Sequence, residues 1–222
     1  MPIHIESEVA RNKAQLMVEL QLRRRGIIDE RVLNAMERVP RHQFAPNADL
    51  DVAYADGPIP IAEGQTISQP YIVAVMLEAL QLTPVHKVLE VGTGSGYQTA
   101  LIAELAAQVY SMERHARLAE QARAMLDKLG YTNISVFVGD GSQGLPEYAP
   151  FDAIVVSAAA PKIPAPLFDQ LREGGRMVLP IGSFAEQDLI LIRKRGNQPV
   201  RAMLEPCRFV PLIGREAFPS DW

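Results

Sequence analysis

The sequence has a single cysteine, Cys207, and it lacks any long apolar run. One thiol cannot form a disulfide within the chain, and we expect Cys207 to be a small, buried apolar residue. No uninterrupted apolar stretch is long enough to cross a bilayer. Residues 1–15 mix acidic and basic side chains and lack the apolar centre of a signal peptide. These absences predict a cytoplasmic protein that has no membrane partner.

Basic residues and potential metal ligands are also sparse. The net charge is -4, and the longest basic run is the three arginines at 23–25, which we expect to end a helix in solvent. Nucleic-acid binding normally requires a basic face that neutralises phosphates, so no nucleic-acid partner is predicted. The histidines are scattered without the spacing of metal ligands, so no metal site is predicted either. They are His4, His42, His86 and His115.

The N-terminal part shows helical apolar spacing that an irregular segment interrupts. The predicted helices span 10–26, 29–39 and 71–80. We expect Gly26 to end the first helix and Asp29 to cap the second. Prolines and glycines break the pattern over 44–70, where we expect irregular structure. Near the end of that segment, Ser68 is interpreted as the N-cap of the third helix, because a proline follows two residues later.

From residue 87 onward, strand patterns alternate with helix patterns, which is typical of a doubly wound, mostly parallel α/β sheet. The predicted strands span 87–91, 108–113, 134–138, 152–156, 176–179, 188–193 and 208–212. The predicted helices span 97–107, 117–129 and 166–171. No internal repeat and no linker divides the sequence, so we expect one domain over 1–222. Within it, 1–84 forms an N-terminal helical cover, and 85–222 forms the sheet and the C-terminal strands.

The first of these strands runs directly into a glycine-rich turn. Residues 88–97 read Val-Leu-Glu-Val-Gly-Thr-Gly-Ser-Gly-Tyr, and glycines there let a ligand approach backbone that any side chain would block. A dinucleotide fingerprint needs its third glycine at the position of Tyr97. The acidic-x-G-x-G-x-G pattern instead resembles motif I of the class I S-adenosylmethionine methyltransferases. The alternative is a plain strand-to-helix turn.

Acidic residues stand at or near the ends of three consecutive predicted strands, where ligands bind in open α/β sheets. Glu113 is expected to accept hydrogen bonds from ribose hydroxyls, and Glu90 to hold the charged amino end of a methionine moiety. Asp140 is expected to accept from an adenine amino group, with the Gly141 backbone close to the ring. No Walker lysine pattern is present to hold a triphosphate, so S-adenosylmethionine is the leading candidate ligand. The alternative for each carboxylate is a position on the surface or a role as a helix N-cap. The predicted cofactor-binding residues in this region are Glu90, Gly92, Thr93, Gly94, Gly96, Tyr97, Glu113, Arg114, Asp140 and Gly141.

These residues belong to a longer pattern that closely resembles one family, protein-L-isoaspartate O-methyltransferase in its bacterial form. The match runs from near Arg11 to about Leu212. Its most specific segments are 53–61, Ala-Tyr-Ala-Asp-Gly-Pro-Ile-Pro-Ile, and 64–71, Gly-Gln-Thr-Ile-Ser-Gln-Pro-Tyr. Segments 38–44, 139–141, 174–176 and 208–212 also resemble the family. Ser157 departs from the pattern, because threonine is common at this position.

The resemblance implies an enzyme that transfers a methyl group from S-adenosylmethionine to the free α-carboxylate of L-isoaspartyl residues in damaged proteins, leaving S-adenosylhomocysteine. The ester then closes to a succinimide, and hydrolysis restores some normal aspartate. The resemblance also implies that Ser68 is the active-site residue. Thr66 and Ile67 are expected to lie with it at the junction of cofactor and substrate, and all three are predicted to bind the cofactor. The residues expected to form the substrate groove are Ile67, Ala158, Ala159, Pro161, Val210, Pro211 and Leu212.

Two other functions remain open from the sequence. One is a class I methyltransferase that acts on a small molecule or a nucleic acid. Amino-group methylases of bases often carry Asn/Asp-Pro-Pro-Tyr/Phe after the fourth strand, whereas residues 157–160 here read Ser-Ala-Ala-Ala. The other function is a non-enzymatic module that binds S-adenosylmethionine or a partner protein.

Overall fold

The computed structural model describes residues 7–183 and 185–219, and its strands form two sheets. The strands are β1 (Ile59–Pro60), β2 (Thr66–Ile67), β3 (Lys87–Val91), β4 (Gln108–Glu113), β5 (Ile134–Val138), β6 (Phe151–Val156), β7 (Leu171–Gly182), β8 (Gln187–Arg195) and β9 (Gln198–Cys207). The first two form an antiparallel hairpin, and the other seven form one sheet in the order β5-β4-β3-β6-β7-β8-β9. All pairs from β5 to β7 are parallel, and the pairs of β8 are antiparallel. The predicted mostly parallel sheet is confirmed, whereas the predictions for residues 1–6, including His4, and for 220–222 lie outside the described residues.

The strand order reverses between β3 and β6. From β3 the chain continues to β4 and β5 on one side, and β6 returns to the other side of β3. Val88 and Val155 pack in the core cluster on one face of the sheet, while Leu89 and Ile154 pack in the cluster on the other face. Apart from Lys87, Glu90 and Asp152, these strands are apolar, because both of their faces are covered. A crevice opens at the carboxyl ends of such strands where the order reverses.

Helices cover both faces of this sheet. They are α1 (Glu8–Met17), α2 (Glu30–Arg38), α3 (Leu50–Ala53), α4 (Pro70–Leu80), α5 (Tyr97–Leu105), α6 (Ala116–Lys128) and α7 (Ala165–Gln170). The buried sides of α1, α2, α4 and α5 share one core cluster, so the predicted N-terminal cover packs on one face. Within the described part of the chain, no helix combines the length and the apolar character that crossing a membrane would require.

The two predicted N-terminal helix boundaries are confirmed. The first helical stretch is α1 followed by a π-helical turn, Val18–Leu22, and a 3-10 turn, Arg23–Arg25. It ends at Gly26, whose φ of +96° is left-handed and suits glycine. Asp29 caps α2, because its side chain accepts a hydrogen bond from the Arg31 N–H.

The segment 44–70 is more ordered than predicted. It contains α3 and the hairpin of β1 and β2, and it follows a 3-10 turn at Arg41–Phe44. The hairpin pairs Ile59 with Ile67, and both side chains are buried. Elements this short show no apolar periodicity from which they could be predicted. They are stabilised by packing against the main core.

The prediction of a strand over 208–212 is wrong, and β9 was missed. The sequence of β9 contains Pro199 and Pro206, which normally argue against a strand. β9 lies at the sheet edge and pairs only with β8, where missing N–H donors are tolerated. The following segment pairs with the loop after β6 instead: the Ala159 N–H donates to the Val210 carbonyl at 2.8 Å, and the Leu212 N–H to the Ala159 carbonyl at 2.7 Å.

The contact between the glycine turn and α6 gives a testable prediction. Gly96 (φ +90°) and Gly130 (φ +79°) are both left-handed, so replacing either by alanine costs about 1–2 kcal/mol. A Cβ at Gly130 meets nothing within 4 Å, whereas one at Gly96 lies 3.3 Å from Ala122 Cβ and 3.5 Å from Leu126. We expect Gly96→Ala to lower the free energy of unfolding by about 1–3 kcal/mol more than Gly130→Ala, as measured in urea. Equal losses would contradict a close fit of the turn on α6.

Candidate functional site

A cleft of about 630 Å³ opens at the carboxyl ends of β3, β4 and β6. Its volume is in the range of small-molecule and cofactor sites. Predicted site residues that line it are Thr66, Ile67, Ser68, Gly92, Thr93, Gly94, Tyr97, Glu113, Arg114, Gly141, Ala158, Val210, Pro211 and Leu212. The remaining predicted residues, Glu90, Gly96, Asp140, Ala159 and Pro161, lie outside its walls. The fold therefore brings the Thr-Ile-Ser segment (66–68) and the glycine turn (92–96), which are distant in sequence, to one cavity.

The glycine turn leaves β3 as bare backbone on the cleft wall. Gly92 and Gly94 have φ values of +96° and +54°. A Cβ at Gly92 would contact Ser157, and a Cβ at Gly94 would project toward Ile61 of the hairpin segment at 3.9 Å. The Gly92 N–H donates to the Met112 carbonyl at 2.8 Å, which ties the turn to β4. This arrangement fits a ligand that lies directly against the main chain.

Glu113, at the end of β4, holds the glycine turn through a side-chain hydrogen bond. Its Oε2 accepts from the Gly94 N–H at 2.9 Å, and its Oε1 accepts from the His115 N–H at 3.0 Å. The side chain is buried but contributes to the cleft wall. A carboxylate has about four acceptor sites, so these two bonds leave room for two ligand hydroxyls.

Glu90 lies behind the cleft wall and is completely buried. Its Oε2 accepts from the Thr99 hydroxyl at 2.5 Å and from the Ser111 hydroxyl at 2.6 Å. Its Oε1 has no partner among the described residues. The pKa of Glu90 is raised to about 7, because the effect of burial is larger than the lowering by the hydrogen bonds from Ser111 and Thr99. At about pH 7, both the neutral and the charged form of this carboxyl are therefore populated.

Asp140 also lies outside the cleft wall and holds the C-terminal segment. Its Oδ1 accepts from the Ser142 N–H at 3.0 Å and from the Ser142 hydroxyl at 2.7 Å, and its Oδ2 accepts from the Arg215 N–H at 2.8 Å. Burial alone would raise the pKa of Asp140, but these hydrogen bonds prevail and lower it. Its neighbour Gly141 lines the cleft and packs so closely on Val91 that a Cβ there would lie 2.4 Å from Val91 Cγ1.

Ser68 stands on the cleft wall between β2 and α4. Its predicted role as N-cap is wrong: the cap position belongs to Gln69, and no side chain caps this helix. Pro70 already occupies the first helical position, so the helix lacks one of the N–H groups that a cap would satisfy. The residue is half-buried, and its role in this fold is not that of a helix cap.

Part of the cleft wall is formed mainly by apolar residues. Ala158 and Leu212 are buried, and the half-buried Val210 and Pro211 lie beside them. Ala159 is fully buried and supports this wall through its backbone bonds to the 210–212 segment, whereas Pro161 is exposed and does not line the cleft.

Sequence reasoning missed several cleft residues. The Gln98 side chain donates to the Ser157 hydroxyl at 2.9 Å, which joins α5 to the end of β6. Ser157 was visible as a strand end, but nothing distinguished Gln98 from other polar residues of a helix. His115 also lines the cleft, as does Cys207, which was expected in the core but is half-buried at the end of β9.

Comparisons with known proteins find similarity over nearly the whole chain. The family model described as protein-L-isoaspartate(D-aspartate) O-methyltransferase matches residues 11–217. A relative named protein-L-isoaspartate O-methyltransferase from Koribacter versatilis is 59% identical over 202 residues, covering 91% of this chain and 91% of the relative. A relative of the same name from Methanoculleus marisnigri is 55% identical over 211 residues, covering 95% of this chain and 96% of the relative.

Solved structures confirm the predicted fold class. One, named protein-L-isoaspartate O-methyltransferase, has a TM-score of 0.83 and 28% identity, and the match covers 93% of this chain and 67% of that chain. Another, a protein-L-isoaspartate O-methyltransferase from Plasmodium falciparum in complex with S-adenosyl-L-homocysteine, has a TM-score of 0.79 and 30% identity. That match covers 90% of this chain and 98% of the other.

The buried carboxyl of Glu90 gives a prediction about pH. Its folded pKa of about 7 exceeds its unfolded value of 4.5, so its contribution to stability is complete below about pH 4.5 and is lost as the pH rises through about 7. Glu90→Gln keeps an acceptor for Thr99 and Ser111 but does not titrate. Relative to wild type, we expect this variant to gain up to about 3 kcal/mol between about pH 5 and 8, at about 1.4 kcal/mol per pKa unit.

Urea unfolding at several pH values measures this difference. Glu120→Gln, on the exposed side of α6, is the matched control and should follow the wild-type profile. Parallel profiles for wild type and Glu90→Gln would show that Glu90 is ionised throughout.

Proposed function

The chain belongs to the protein-L-isoaspartate(D-aspartate) O-methyltransferase family, and on this premise we propose how its cleft carries out the family's reaction. The reaction transfers a methyl group from S-adenosylmethionine to the free α-carboxylate of L-isoaspartyl residues in damaged proteins, which initiates repair through a succinimide. The observation that carries the proposal is the single cleft between the glycine turn and Ser68.

We place the cofactor along the glycine turn. Gly92 and Gly94 present backbone that a side chain would block, and the Glu113 carboxylate beside them has free acceptor sites for ribose hydroxyls. Gly141 and Arg114 extend the same wall. Thr66 and Ile67 border it from the hairpin side. When bound, the cofactor supplies an activated methyl group on a sulfonium.

Glu90 and Asp140 act on this site from behind the wall. Glu90 Oε1 is a buried acceptor without a hydrogen-bond partner in 7–183 or 185–219, which fits a role toward the charged amino end of the cofactor, directly or through water. Asp140 has no position on the wall, so its support for the adenine site is the ordering of Gly141 and the 214–216 backbone. Gly96 contributes the left-handed turn that starts α5, and Tyr97 follows it on the wall.

The chemistry demands orientation more than proton transfer. A peptide α-carboxylate has a pKa of about 3.5, so the substrate is already an ionised nucleophile at neutral pH. The Ser68 hydroxyl can hold this carboxylate through one hydrogen bond and leave its charge intact. An arginine in the same place would neutralise it. Aligning the reacting atoms in a site that excludes water can contribute about 7–11 kcal/mol. Ser68 is therefore the proposed catalytic residue.

The substrate peptide lies in the apolar groove formed by Ile67, Ala158 and the 210–212 segment. Any side chain can flank an isoaspartyl residue, so recognition must depend on backbone shape, and a smooth apolar wall suits this. Ala159 and Pro161 support or flank the groove without lining it. The proposed partners are therefore isoaspartyl proteins and peptides, and neither nucleic acid nor a membrane belongs to the proposal.

Two further parts of the proposal concern the whole chain. We place the enzyme in the cytoplasm, where damaged proteins are its substrates. We also treat residues 1–222 as one methyltransferase domain. Two observations support this. The main sheet has seven strands in one piece, and the cleft is lined both by residues before 84 and by residues of the sheet region after it.

A paired peptide assay tests the substrate. The purified protein is incubated with methyl-labelled S-adenosylmethionine and an isoaspartyl peptide, its normal aspartyl twin, or nucleic acid. We expect label only in the isoaspartyl peptide, and we expect mild base to release it as methanol, because the product is an ester. Base-stable label in nucleic acid would instead support an amino-group methylase.

Replacing Ser68 tests the proposed mechanism. We expect Ser68→Ala to lower kcat on the isoaspartyl peptide by about 10–100-fold, because the carboxylate loses its orienting hydrogen bond. The Kd for S-adenosylhomocysteine, measured by calorimetry, should stay within about twofold, since the cofactor wall is unchanged. Ser68→Thr keeps the hydroxyl and should retain most activity. Equal losses of turnover and cofactor affinity would indicate that Ser68 acts only through the local fold.

A further inference from the structure

Arg41 is an arginine with no exposed surface, in the 3-10 turn that precedes α3. Its Nε donates to the Ala53 carbonyl at 2.9 Å, and its Nη2 donates to the Ser68 carbonyl at 2.9 Å. Its Cζ lies 4.8 Å from the centre of the Tyr97 ring. One guanidinium thus joins the turn itself, the end of α3, the Thr-Ile-Ser segment and the first residue of α5.

Such a residue is costly in a protein core, which suggests that it has a specific task. Its hydrogen-bond acceptors are two carbonyls and its third neighbour is an aromatic ring, so no carboxylate provides its hydrogen bonds. Burial lowers the pKa of Arg41, but a guanidinium stays charged in proteins. Its Nη1 and the Tyr97 hydroxyl are both buried, and the Tyr97 side chain raises the pKa of Arg41, which partly offsets the effect of burial. An apolar side chain of similar size would fill this space at a lower cost.

The bond to Ser68 fixes the orientation of a peptide group on the cleft wall. Ser68 follows a two-residue strand and precedes a helix without a side-chain cap, so few other bonds hold its backbone. The rigid fork of a guanidinium can fix two carbonyls at once, which a flexible lysine cannot. The ring of Tyr97, just after the glycine turn, gives the same guanidinium a contact on the cofactor side.

We propose that Arg41 is a positioning residue for methyl transfer, holding the Ser68 backbone at a fixed distance from the glycine turn. This inference rests on the proposed role of Ser68. Arg41 does not line the cleft, so its charge lies behind the Ser68 peptide and does not trap the substrate carboxylate in an ion pair. The Ser68 hydroxyl then meets the carboxylate in one orientation.

The test compares Arg41→Lys with Arg176→Lys. Arg176 is the matched control, because its Nη1 also donates to a backbone carbonyl, that of Ala79 at 2.9 Å, but away from the cleft. Arg41→Met, which leaves no buried charge, serves as a second variant where the lysine variant does not fold. For each variant we measure kcat and KM for an isoaspartyl peptide, the Kd for S-adenosylhomocysteine and the thermal midpoint. Amide hydrogen exchange of 59–69 without cofactor provides a readout independent of turnover.

We expect Arg41→Lys to lower kcat by about 10–100-fold, since a displacement of about 1 Å can cost that much, and to leave KM and Kd within about threefold. Exchange over 59–69 should accelerate. Arg176→Lys should keep kcat within about twofold, even if its thermal midpoint falls as far. In a Ser68→Ala background, Arg41→Lys should lower kcat by less than about threefold, because the hydroxyl it positions is already absent.

Three results would overturn the inference: an unchanged kcat in folded Arg41→Lys or Arg41→Met, equal losses of kcat and cofactor affinity, or losses that multiply with those of Ser68→Ala. These results are distinct from failure of the proposed function. If Ser68→Ala alone keeps full turnover, the proposed role of Ser68 fails first. If Ser68→Ala is impaired and the folded Arg41 variants are not, only the positioning role of Arg41 fails.

Discussion

Two adjacent parallel strands, β3 and β6, send their chains in opposite directions at their carboxyl ends, and the rest of the site depends on that divergence. The Ser157 N–H still bonds to the Val91 carbonyl at 2.8 Å, so the strands stay paired to their last residues. Immediately beyond, left-handed glycines turn one chain into α5 while the other enters the loop that supports the 210–212 segment. A crevice remains between them because the connections leave the sheet to opposite sides where the strand order reverses.

The N-terminal segment converts this general crevice into a specific one. Many folds with a glycine turn hold a nucleoside, but here the β1-β2 hairpin approaches Gly94 through Ile61 and brings Ser68 to the same cleft. The hairpin is too short to be stable alone. Its buried isoleucines anchor it to the core shared with α4 and α5, so the active-site segment inherits its position from helix packing.

The sequence was most informative where local chemistry and fold agree. The strands from β3 to β5 have their predicted ends because apolar runs bounded by glycine and acidic residues are unambiguous. The family motifs identified the Thr-Ile-Ser segment, and the comparisons confirm the family. The failures concern properties that depend on tertiary context. Edge position allows Pro199 and Pro206 in β9, Gln69 replaces Ser68 as the cap, and only burial distinguishes Arg41 from an exposed helix-end arginine.

The distribution of charge around the cleft follows from the reaction itself. Methyl transfer from a sulfonium to a carboxylate consumes a cation and an anion, so a strongly solvating or oppositely charged neighbour would stabilise the reactants more than the transition state. Two buried ionisable side chains lie behind the walls: Arg41 bonds to carbonyls, and Glu90 bonds to the hydroxyls of Thr99 and Ser111. The wall proposed for the carboxylate contains Ser68 and apolar residues such as Ala158 and Val210, and Arg208 also lines the cleft. The Ser68 hydroxyl can orient the carboxylate without neutralising its charge, which is the requirement that a charge-neutralising transfer imposes.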